Sequence, residues 1–129
     1  MSRRRLRLAP DRFAALVEEA VAAIPEEFRR YLANVAVCIE DWPSDAQLES
    51  LGLDPELDTL FGLYEGTALP DRPHDHGNAL PDRITIFREP LLDEFTTEPA
   101  IRREIERTVV HEIAHFFGLD DEQVRRLGY

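Results

Sequence analysis

The chain has 129 residues, 43% apolar and 32% charged, a composition that excludes disordered and fibrous classes and fits one globular domain over 1–129. Fifteen Lys and Arg against 26 Asp and Glu leave a net charge of -11, which repels nucleic acid and anionic membranes as partners. A single cysteine, Cys38, excludes a disulfide framework, and no apolar run reaches membrane-spanning length.

The basic start, Arg3-Arg4-Arg5-Leu6-Arg7, is not followed by the apolar stretch of a signal peptide. The expectation is a cytoplasmic protein with a flexible basic terminus over residues 1–9. From Pro10 to Ile24 apolar residues recur at Phe13, Leu16, Val17, Ala20, Val21 and Ile24, one face of a helix. Pro25 ends it and opens a short helix with acids first and arginines last. Val35-Ala36-Val37-Cys38-Ile39 is continuously apolar and predicts a buried strand, with Cys38 a buried structural thiol. Trp42 and Pro43 read as a packed corner. Ser44 and Gln47 form a capping box for a helical turn or two ending near Gly52.

Leu60 to Glu65 predicts a second strand, closed by Gly66, and the Gly, Pro, Asp and Asn of residues 66–81 predict a long loop. Arg83 to Arg88 predicts a third strand, read as a sheet edge because of its terminal charges and Pro90. Thr97-Glu98-Pro99 starts the longest helix, which should run to Phe117 and stop at Gly118. Asp120 then caps a final short helix. The fold class is α+β: a small mixed sheet of about three strands packed on one long helix.

That helix carries His111-Glu112-Ile113-Ala114-His115. Positions i and i+4 share a helix face, so both imidazoles can converge on one ion, with Glu112 beside them. Ile105, Val109, Ile113, Phe116 and Phe117 fall on the opposite half as a core-facing stripe. Two imidazoles, an open coordination position and an adjacent carboxylate that takes a proton from water are what a zinc hydrolase requires. A third ligand is needed; Gly118 can turn the chain so that Asp121 reaches back, with Asp120 the competing candidate. His74 and His76 read as residues of a polar surface loop.

The run His111 to Asp121 resembles the extended motif of the zincin metallopeptidases, with Asp in place of the last His. Leu63-Tyr64-Glu65-Gly66, Leu80 to Phe87 and the ending Leu127-Gly128-Tyr129 are similar to a small bacterial family of minimal zincin-like metallopeptidases. The resemblance implies a zinc ion held by His111, His115 and an acidic third ligand, with Glu112 as general base. It also implies a peptide or protein substrate held in extended form along strand 83–88. The sequence departs from the larger zincins in lacking a methionine turn, since its one methionine is Met1, and only eight residues follow Asp121. No oxyanion donor is fixed by spacing; Tyr64, His76, Arg88 and Tyr129 are the candidates. The rival function is a zinc-stabilised module that binds peptide without turnover.

Overall fold

The computed structural model describes residues 5–55, 60–66 and 82–129. Helix α1 spans Pro10–Ala23, α2 Glu26–Arg29 and α3 Asp45–Ser50; strands β1, β2 and β3 span Val35–Glu40, Gly62–Glu65 and Asp82–Phe87. The remaining helices are α4 (Arg88–Glu94), α5 (Glu98–Phe117) and α6 (Asp121–Arg126). This is the expected α+β architecture.

The local signals act as read. Pro10 opens α1, whose Phe13, Leu16, Val17 and Ala20 turn inward, and the extended Ile24 ends it before Pro25. Ser44 and Gln47 exchange both bonds of the capping box on α3. Thr97 accepts from the Ala100 amide to open α5, and Gly118 closes it in the left-handed conformation, φ 67°. Ile101, Ile105, Val109, Val110, Ile113 and Ala114 bury one face of α5. That face packs against α1 and, through Ile84 and Ile86, against the sheet.

Strand order is β1-β3-β2, with β1 parallel and β2 antiparallel to β3. This corrects the edge assignment of strand 83–88. It is the central strand, both of its hydrogen-bonding sides are taken, and an extended peptide cannot add to it. Its charges sit at its ends for other reasons: Arg83 pairs with Glu65 on the neighbouring strand, and Arg88 begins α4 while pairing with Asp41. Pro90 lies in the first turn of α4, where its missing N–H costs nothing. Ile84, Thr85, Ile86 and Phe87 are consequently sealed on both faces.

The buried-strand reading belongs to β3 rather than to β1. As an edge strand β1 is half-buried at Val35–Cys38, so Cys38 is partly exposed, and Trp42 stands out at 53% exposure instead of packing a corner. Ahead of α1, Leu6 and Leu8 pack on the core, and Arg5 pairs with Glu89 and Asp93 on α4. No helix of the described residues is long and apolar enough to cross a membrane.

Candidate metal centre

The last two turns of α5 carry His111 and His115, both exposed, with Glu112 half-buried between them. The stacking of i and i+4 places the two imidazoles on one side of the helix. Phe116 and Phe117 do not continue the core stripe. They are 48% and 41% exposed and build an aromatic group at the surface instead. Phe116 stacks on Tyr64 at 4.0 Å between ring centroids, and Phe117 meets Tyr31 at 4.9 Å.

Strand β2 forms the other wall. The Phe87 amide donates to the Phe61 carbonyl at 2.9 Å, so the main-chain groups of the odd residues of this segment face β3 and those of the even ones point away from it. The Tyr64 amide is therefore turned away from the sheet, and it donates to Glu112 Oε1 at 2.8 Å. Close approach of β2 to α5 depends on Gly62, where an added Cβ would meet Thr108 Cγ2 at 2.7 Å. Gly66 plays the same part for the aromatic stack, since a Cβ there would strike the Phe116 ring.

Burial raises the Glu112 pKa above the ordinary carboxylate range, opposed by the Tyr64 amide and the two neighbouring histidines. The carboxylate lies where two open clefts meet. One, about 450 Å³, is shared with His115, Leu51, Leu60, Leu63, Tyr64 and Phe116. The other, about 260 Å³, is shared with His111, Phe61, Glu104, Arg107 and Thr108. Together they follow the seam between β2 and α5.

Imidazole nitrogens with a carboxylate oxygen are a donor set suited to zinc, and the paired histidines fit it in type and spacing. Asp121 is exposed at the first position of α6, following Asp120, whose side chain accepts from the Glu122 amide as the N-cap. Among the described residues, no three His, Cys, Asp or Glu side chains converge as a metal-holding group, so Asp121 does not join the histidines in this arrangement.

Of the oxyanion candidates, Tyr64 borders the centre, but its hydroxyl donates to Asp82 at 2.7 Å. Tyr129 is bonded to Glu106, with Arg103 over its ring, and Arg88 pairs with Asp41. His74 and His76 lie outside the described residues. The residues that sequence reasoning missed are Gly62 and Thr108, together with the main chain of Tyr64. A glycine inside an apolar strand pattern is the one signal that marks such a close approach.

A fold of this class, a small mixed sheet over a helix that presents paired histidines and a half-buried glutamate, matches the family comparison. The profile of the zincin-like metallopeptidases matches residues 32–129, well over half of the chain. The chain belongs to that family. Its fold is similar to that of a conserved hypothetical protein from Thermo thermophilus, with TM-score 0.54 and 22% identity over 85% of this chain and 94% of that one. No curated protein sequence matches the chain.

Proposed function

We propose that the protein is a zinc-dependent peptide hydrolase with Glu112 as its general base. The observation that carries this reading is the position of the Glu112 carboxylate: half-buried, flanked by two exposed histidines, at the junction of two open clefts. His111 and His115 are the residues that would hold the ion, with Asp121 as third ligand. When bound, zinc supplies Lewis acidity that makes water acidic enough to lose a proton near neutrality.

The chain's own groups do the rest. The Tyr64 amide fixes one oxygen of Glu112 and leaves the other to take the proton from the attacking water and pass it to the leaving amine. Partial burial brings the base closer to working pH, where proton transfer is most effective. An extended substrate would lie along the seam between β2 and α5, where the two clefts meet at Glu112, rather than on β3, whose two sides are paired with β1 and β2.

The test compares wild type and Glu112→Gln, both zinc-loaded, on a pool of unstructured peptides. Expected are cleavage by wild type and a loss of at least about a hundredfold in the variant, with zinc content unchanged. Equal cleavage by both removes Glu112 as the base. Saturable peptide binding without products replaces the hydrolase reading with that of a binding module.

A further inference from the structure

The two clefts beside Glu112 differ in chemistry. On the His115 side the walls are Leu51, Leu60, Leu63, Tyr64 and Phe116; on the His111 side Glu104, Arg107 and Thr108 bring charge and hydroxyl groups. Leu51 and Phe116 are 50% and 48% exposed, so apolar area faces solvent at the rim of the His115-side cleft. Both are held in place. Leu51 follows α3, which is tied to β2 by the bond from Gln47 Nε2 to Glu65 Oε1 at 3.0 Å, and Phe116 is locked by its stack on Tyr64. A rigid apolar rim continuous with a candidate catalytic group is surface that a ligand side chain gains by covering.

We propose that the His115-side cleft is a specificity subsite for a bulky apolar side chain, of the size of phenylalanine or leucine, on an extended peptide. The identity of that ligand as substrate rests on the peptidase reading above; the subsite itself does not. An acidic side chain is rejected there, because the walls carry no lysine or arginine among the described residues and Glu112 stands among them. The His111-side cleft, with Arg107 and Glu104 at its border, accepts a polar neighbour.

The test titrates isotope-labelled protein with N-acetyl-phenylalaninamide and, separately, N-acetyl-aspartamide, with and without zinc, following amide shifts. It then repeats the titration on Leu51→Glu, a change at an exposed position that leaves the fold intact. The expected result is shifts centred on Leu51, Leu63 and Phe116 with the phenylalanine probe only, weakened about tenfold in the variant. Equal response to both probes, shifts centred elsewhere, or no response at all overturns the subsite. A protein that binds the aromatic probe here yet cuts no peptide keeps the subsite and loses the peptidase reading. One that cuts peptides with no apolar preference keeps the peptidase reading and loses the subsite.

Discussion

The main-chain amide of Tyr64 and the side-chain carboxylate of Glu112 meet at 2.8 Å across the seam between β2 and α5. The group read as the general base is thus fastened to the strand that forms the other wall of both clefts. Shortening the side chain by one methylene breaks this contact while keeping the charge. Glu112→Asp should retain zinc and fall at least about tenfold in kcat against wild type; unchanged kcat would separate the contact from the chemistry.

Glu112 also sets a pH dependence of stability. Its folded-state pKa is raised by burial, so its ionisation costs stability as pH climbs through that raised value, and below the unfolded-state value the cost is absent. In metal-free protein Glu112→Gln should therefore melt higher than wild type at neutral pH. The two melting curves should converge under acidic conditions, because a glutamine oxygen still accepts from Tyr64. A gap that is constant with pH would assign the effect to packing.

The two aspartates after Gly118 should divide their roles. Asp120→Ala removes the N-cap of α6 and should cost about 1 kcal/mol of stability with zinc binding kept. Asp121→Ala should leave stability of the metal-free protein close to wild type and weaken zinc binding, with His111→Ala and His115→Ala weakening it further. Calorimetric zinc titration against thermal melting distinguishes the two aspartates.

Gly62→Ala places a methyl group against Thr108 Cγ2 and should destabilise by about 1–3 kcal/mol. Thr108→Ser removes the opposing methyl, so the double variant should recover part of the loss in a denaturant titration. Failure of any recovery would point to the Thr85 carbonyl, the next nearest atom, as the obstacle.

Thr85 lies fully buried in β3, and its hydroxyl has no hydrogen-bond partner among the described residues. Thr85→Val preserves the shape and removes the unpaired group, so it should be neutral or stabilising by about 1 kcal/mol in chemical denaturation. A clear loss would mean that the hydroxyl is satisfied in solution.

The helix ends are legible in the sequence because their signals are local: the Ser44–Gln47 box, Thr97, Gly118 and Asp120 each act on groups within a few residues. The spacing of His111 and His115 is legible for the same reason. Strand order is not, because Arg83 and Arg88 have the same sequence signature whether they blunt an edge or anchor a central strand through Glu65 and Asp41. Periodicity assigns Phe116 and Phe117 to the core, because rings that stack on Tyr64 and Tyr31 at the surface have the same spacing as rings that pack inside. The bond from Tyr64 to Glu112 joins residues 48 apart, so no local pattern announces it.

The Tyr64 hydroxyl donates to the Asp82 carboxylate at 2.7 Å and so ties together the two strands that border residues 66–81. This clasp adds a side-chain bond to the antiparallel pairing of β2 with β3. The strand that offers its amide to Glu112 is therefore pinned at both ends of its reach, to the helix by its main chain and to β3 by its ring hydroxyl.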